Sequence, residues 1–151
     1  MSLNEKPELV TWPETHYVFV EKAGPFMKTA PQAWQELHAL VPAIAAANKI
    51  TGYLSLYRMG PNIYRAGVSV AEAPNAVPEG LAYELFEGGR YSSFELTGSY
   101  AQLPEASRRV WEIAEEEKIP LRAGFAIESY LKDPRTTPAE ELVTEILLPT
   151  V

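Results

Sequence analysis

Glu128 and Tyr130 stand two residues apart in the run Gly124-Phe-Ala-Ile-Glu-Ser-Tyr130. The run reads as a buried strand, and strand residues point alternately to opposite faces. Ala126, Glu128 and Tyr130 therefore share one side, with Phe125, Ile127 and Leu131 on the other. An acid beside a phenol among apolar neighbours can balance a bound cation or move a proton. A buried carboxylate without a partner or a task is costly. Two plainer readings stand beside these: a solvated sheet edge, or an ion pair with Arg65 or Arg122.

The rest of the composition narrows the chemistry. The chain has no cysteine, which removes disulfides, thiolate metal sites and cysteine nucleophiles. His16 and His38 are isolated, with no second ligand at metal spacing, so neither a metal nor any other cofactor is expected. No glycine-rich phosphate loop and no Gly-x-Ser-x-Gly elbow is present. The formal net charge of −7 disfavours a phosphate backbone, and Arg108-Arg109 is too small a basic spot for a nucleic-acid footprint. No apolar run approaches the roughly 18–20 residues of a membrane span, and the N-terminus has no signal-peptide apolar region. A cytoplasmic protein is expected. Glu115-Glu116-Glu117 reads as a solvated helix face.

The elements that must position Glu128 are legible from periodicity. Residues 1–7 read as a disordered lead-in, and residues 8–12 as a short strand ended by Pro13. His16 to Glu21 alternates as a strand and Gly24-Pro25 breaks it. Thr29-Ala30-Pro31-Gln32 has the form of a capping box. Trp34, Leu37, Val41 and Ile44 then follow at helical spacing, with Pro42 expected to kink or shorten that helix. Residues 51–58 and 63–70 read as paired strands around a Gly60-Pro61-Asn62 turn. Residues 71–80 are a connector and 81–86 a further extended segment. A second helix is expected from about Pro104 to Lys118, with Leu103, Val110, Trp111 and Ala114 inward. Residues 123–131 and 143–149 form the last strand pair, and Thr137-Pro138-Ala139-Glu140 signals a short helical turn between them.

The chain also repeats itself. Residues 16–26 resemble residues 90–100, superposing Tyr17 on Tyr91, Glu21 on Glu95, Gly24 on Gly98 and Phe26 on Tyr100. The expectation is an α+β domain over 8–151, built from duplicated strand-helix-strand-strand modules of about 8–70 and 81–151. Two antiparallel sheets would enclose a pocket at a pseudo-twofold seam, a favoured place for small ligands. Tyr53, Ser55 and Tyr57 occupy the strand equivalent to that of Glu128 and Tyr130, and are expected to share the pocket wall. Glu145 shares a strand face with Leu147, opposite Thr144, Ile146 and Leu148; it either completes the pocket or pairs with Arg65.

Residues 125–149, from Phe125-Ala-Ile-Glu-Ser-Tyr-Leu-Lys-Asp-Pro to Thr137-Pro-Ala-Glu-Glu-Leu-Val-Thr-Glu-Ile-Leu-Leu-Pro149, resemble the closing motif of the GyrI-like small-molecule-binding domains. That module is also the effector-binding half of BmrR-like and AraC/Rob-like regulators. Ala23-Gly-Pro-Phe26 and Tyr64-Arg-Ala-Gly-Val-Ser-Val70 resemble the family's equivalents in the first half. The resemblance implies a pocket glutamate at Glu128, its tyrosine at Tyr130, and a second glutamate at Glu145. The chain departs from those regulators in one respect: only about seven residues precede the first strand, so a free-standing domain without a helix-turn-helix is expected. Arg65 stands where the family often has an aspartate.

Three functions follow from the resemblance. The leading one is sensing or sequestering an aromatic, cationic, drug-like molecule in a Glu- and Tyr-lined pocket. A second is hydrolysis of cyclopropane-bearing alkylating natural products, with Glu128, Glu145 or Tyr130 as the candidate catalytic groups. A third is protein interaction of the gyrase-inhibitor type, with gyrase or a separate regulator as partner.

Overall fold

The computed structural model describes residues 1–151 and contains eight strands and two helices. The strands are β1 (Ser2–Trp12), β2 (Thr15–Ala23), β3 (Ile50–Arg58), β4 (Ile63–Val70), β5 (Ala82–Phe86), β6 (Gly89–Thr97), β7 (Ala126–Tyr130) and β8 (Val143–Pro149). The helices are α1 (Phe26–Ala47) and α2 (Leu103–Glu116). Neither is long and apolar enough to cross a membrane. Contacts divide the chain into a continuous unit, Pro13–Gly88, and a discontinuous one, Met1–Trp12 with Gly89–Val151.

In the continuous unit the strand order is β3-β4-β2-β5; in the discontinuous unit it is β1-β6-β8-β7. Reading the second order backwards gives β7-β8-β6-β1, the same arrangement with β1 in the place of β5. The strand-helix-strand-strand repeat read from the sequence is thus present in β2-α1-β3-β4 and in β6-α2-β7-β8. Its boundaries need correction. β1 pairs with β6 and β5 pairs with β2, so each repeat carries a fourth strand from outside the expected limits.

Residues 2–7, expected as a disordered lead-in, are strand. Ser2, Leu3 and Asn4 pair with Thr97, Leu96 and Glu95, and the register shifts between Asn4 and Glu8. Glu5 in the shifted stretch holds Arg109 of α2 at 2.9 Å. Backbone pairing and this ion pair fix a segment whose own side chains give little apolar signal.

Helix α1 starts at Phe26, earlier than the Thr29 capping box suggests. Gly24, at φ 129, turns the chain, and its N–H donates to Asn62 O at 2.9 Å. Phe26 then packs against Tyr57 and Tyr64. Thr29 is an interior residue whose N–H donates to Pro25 O. The helix also continues past Pro42, which is exposed, as is His38 one turn earlier, so water can serve the carbonyl left without its N–H donor. Its buried stripe is Thr29, Ala33, Leu37 and Ile44. In α2 the buried stripe is Ala106, Val110, Ile113 and Ala114, with Trp111 at its margin. A one-turn 3-10 helix at Ala139–Glu141 occupies the expected turn before β8.

Tyr17 and Gly67 show how closely the continuous unit is packed. Tyr17 is fully buried, and its hydroxyl donates to Leu54 O at 2.9 Å. A Cβ on Gly67 would meet the Tyr17 ring at 2.5 Å, so only glycine fits beneath it.

Candidate functional site

β7 pairs with β8 through Ile127↔Leu147, Glu128↔Ile146, Ser129↔Glu145 and Tyr130↔Thr144. Directly opposed residues in an antiparallel pair share a face. Glu128 therefore lies with Ala126, Tyr130, Thr144, Ile146 and Leu148. β6 adds Phe94 and Leu96, which oppose Ile146 and Thr144. Ile146, Phe94, Leu96 and Leu148 are fully buried and form an apolar floor beside the carboxyl group.

The Tyr130 hydroxyl donates to Glu128 Oε1 at 2.9 Å. Burial pushes the Glu128 carboxyl up to about 7, and the hydrogen bond from Tyr130 opposes that rise. The side chain still keeps part of its surface open to solvent. Tyr100, at the turn leading into α2, meets the Tyr130 ring edge-on at 5.5 Å and 69°. Its own phenol is pushed above the usual range by burial and by the negative charge of Asp133. Tyr100 is a neighbour of Tyr130 that the strand patterns missed, although the repeat already aligned it with Phe26.

Glu145 is not on this surface, which corrects the expectation that it completes the pocket with Glu128. Its register partner is Ser129, so it faces the opposite side of the sheet, across from Glu95. There it accepts a hydrogen bond from Ser93 Oγ at 3.0 Å.

The expected arginine partners are otherwise engaged. Arg65 pairs with Glu21 at 2.8 Å and Glu84 at 3.0 Å and lies over the Phe19 ring. Arg122 donates to Thr150 O and Arg90 O and covers the Tyr91 ring.

Tyr53, Ser55 and Tyr57 belong to the continuous unit, on the sheet face that packs under α1. Ser55 is fully buried and shares a 2.7 Å hydrogen bond with the Tyr64 hydroxyl, which also accepts from Trp34 Nε1 at 2.8 Å. Tyr57 is buried, with Phe26 edge-on at 5.7 Å, and Tyr53 stacks with His38 at 6.5 Å. The comparison with the other unit is direct. Tyr57 opposes Tyr64 as Tyr130 opposes Thr144, and two residues earlier come Ser55 and Glu128. Phe26 meets Tyr57 as Tyr100 meets Tyr130. The continuous unit fills this place with aromatic rings, whereas the discontinuous unit puts a carboxyl group there.

Trp111, expected in the core, is half-buried with its indole Nε1 shielded from solvent, and it also lines an open groove of about 580 Å³ with Ala114, Glu115, Lys118, Ile119 and Leu121. The groove shares no residue with the Glu128 surface. No group of three or more His, Asp or Glu gathers at metal-binding distance.

The family model of the GyrI-like small-molecule-binding domain matches residues 5–151. The chain belongs to the GyrI-like family. No curated protein matches it in sequence. Among solved structures, this GyrI-like chain resembles the C-terminal domain of EcmrR with a TM-score of 0.80 at 17% identity, covering 100% of this chain and 99% of that one. It resembles SAV2435, solved bound to tetraphenylphosphonium, with a TM-score of 0.76 at 14% identity, covering 96% and 93%. A hydrolase from Listeria innocua gives a TM-score of 0.61 at 16% identity, covering 98% and 93%.

Proposed function

We propose that this GyrI-like domain binds aromatic, cationic small molecules, with Glu128 as the charge partner and Tyr130 and Tyr100 as the aromatic wall. The observation that carries this reading is Glu128 itself. It is a carboxyl group on an apolar floor whose hydrogen-bond partner is a phenol rather than a cation. Such a group is costly when ionised and gains most from a ligand that brings the missing charge. Oε1 takes the Tyr130 hydrogen, which leaves Oε2 for the ligand. Flat rings at the rim add about 0.5–2 kcal/mol when a cation lies over their faces. The tetraphenylphosphonium held by the similarly folded SAV2435 is a ligand of this class. Ser55 and Tyr57, buried under α1, serve packing in this reading, while half-buried Tyr53 stays a candidate contact for the ligand.

Calorimetric titration with tetraphenylphosphonium tests the proposal. Wild type should bind it saturably and Glu128→Gln at least about tenfold more weakly, the loss of one charge-assisted contact. A neutral aromatic of similar size should not distinguish the two proteins. Equal phosphonium affinity in both would remove Glu128 from the role.

The same carboxyl group supports a second reading. A side chain poised near pH 7 suits a general base that activates water, and one similarly folded protein is described as a hydrolase. Turnover of a cyclopropane-bearing alkylating substrate, abolished in Glu128→Gln, would select this reading over binding alone.

A further inference from the structure

Thr144 directly opposes Tyr130 and lies on the Glu128 face, diagonal to the carboxyl group. The residue is fully buried, and its hydroxyl has no hydrogen-bond partner. Other buried hydroxyls of this chain have partners close by. Ser92 and Thr150 bond each other at 2.8 Å, and Ser55 bonds Tyr64 at 2.7 Å. A buried hydroxyl left unpaired costs about 1–3 kcal/mol. The fold gains nothing visible in return: Thr144 sits among Leu96, Phe94 and Ile146, where a valine of the same shape would pack without that cost. The unpaired group adjoins the one carboxyl group of this surface.

We propose that the Thr144 hydroxyl is a second polar contact of the Glu128 site, selecting an aryl-substituted alkylammonium that carries a hydrogen-bonding oxygen over a cation that lacks one. The inference rests on the reading of Glu128 as the cation's partner. Diagonal neighbours across an antiparallel pair lie about 7–8 Å apart, which sets the spacing between the ligand's nitrogen and oxygen. The Tyr130 hydrogen is already given to Glu128, so Thr144 is the hydroxyl left to donate to the ligand's oxygen. The ammonium would approach Glu128 Oε2, and the ligand's oxygen would give the Thr144 hydroxyl the partner it lacks.

Three probes separate this contact from the charge contact. They are tetraphenylphosphonium, a tertiary arylalkylammonium with one hydroxyl about 7 Å from nitrogen, and its deoxy analogue. Each is titrated calorimetrically into wild type, Thr144→Val, Thr144→Ser and Glu128→Gln. Wild type should prefer the hydroxylated amine to the deoxy amine by about 5- to 30-fold, the worth of one buried hydrogen bond. Thr144→Val should reduce that preference to near unity, Thr144→Ser should keep most of it, and phosphonium affinity should be the same in all three. The thermal midpoint of Thr144→Val should be at or above that of wild type, which excludes unfolding as the cause. A preference unchanged in Thr144→Val, with phosphonium binding still dependent on Glu128, overturns the Thr144 contact alone. Phosphonium binding that ignores Glu128→Gln overturns the underlying reading, and this inference with it.

Discussion

Tyr130 turns its hydroxyl back along its own strand to Glu128 Oε1, 2.9 Å away. Burial and this hydrogen bond act on the carboxyl group in opposite directions, and burial wins, leaving it at about 7. The folded chain therefore holds a proton that the unfolded chain releases near the ordinary glutamate value of 4.5. Between those two values stability falls as pH rises, because the folded state binds more protons. Glu128→Gln removes the titration and can still accept from Tyr130. It should match wild type below about pH 4.5 and exceed it above about pH 7 by roughly 1–3 kcal/mol. Urea unfolding across pH 4–8 measures the difference, and parallel curves for the two proteins would contradict the burial of Glu128.

Tyr130→Phe takes away the one hydrogen bond that favours the charged carboxylate. Glu128 should then titrate higher than in wild type, as read by carbon-detected NMR of the glutamate carboxyl groups. At pH 8 the variant should be less stable by about 1 kcal/mol, and at pH 4 the loss should shrink. A downward move of the Glu128 titration would show that Tyr130 donates elsewhere in solution.

Binding of a permanent cation should carry the same titration. Tetraphenylphosphonium holds no proton of its own, so below about pH 7 Glu128 must release one for the pair to form. Affinity should fall about tenfold per pH unit below that value and level off above it. Glu128→Gln should show a flat profile. A flat wild-type profile would place the cation away from Glu128.

Tyr100→Ala tests the residue that strand patterns alone did not reveal. It removes the ring that meets Tyr130 edge-on, and phosphonium affinity should drop about 2- to 10-fold, the worth of one aromatic contact. Affinity unchanged in this variant would confine the wall to Tyr130.

Gly67→Ala probes the packing of the other unit. The new methyl group would stand 2.5 Å from the Tyr17 ring and 2.6 Å from Val18 O. Neither the fully buried ring nor the backbone can yield cheaply, so the thermal midpoint should fall, with a loss of about 1–3 kcal/mol. A midpoint equal to wild type would mean that β2 and β4 part more easily than their pairing suggests.

Strand parity was readable from residue order, since alternation along β7 put Glu128 and Tyr130 on one face correctly. Register between strands was not. The placement of Ser129, rather than Glu128, against Glu145 is set by the path of residues 131–142, and a shift of one residue would exchange the faces. That pairing is what turns Glu145 away from Glu128. The segment before Glu8 carries little apolar signal, and what holds it, pairing with β6 and the Glu5–Arg109 contact, lies some 90–100 residues away in sequence. Helix α1 ignores its apparent capping box because Phe26 packs on Tyr57 and Tyr64, contacts that local propensity does not register. The unpaired hydroxyl of Thr144 has no sequence signature at all, since threonine is an ordinary strand residue.

The pairing of β1 with β6 has a consequence for how the protein is made. Residues 13–88 are an uninterrupted stretch, and all four strands of that unit are complete once Phe86 has left the ribosome. The unit that carries Glu128 is split around it. Its first strand is synthesised before every other element, yet its partner β6 begins only at Gly89, and β8 comes later still. During translation β1 cannot form its pairing with β6 until residues 89–97 have been made, and the Glu128 surface lacks Thr144 and Ile146 until β8 emerges. The face around Glu128 is therefore completed only when the last strand has been made.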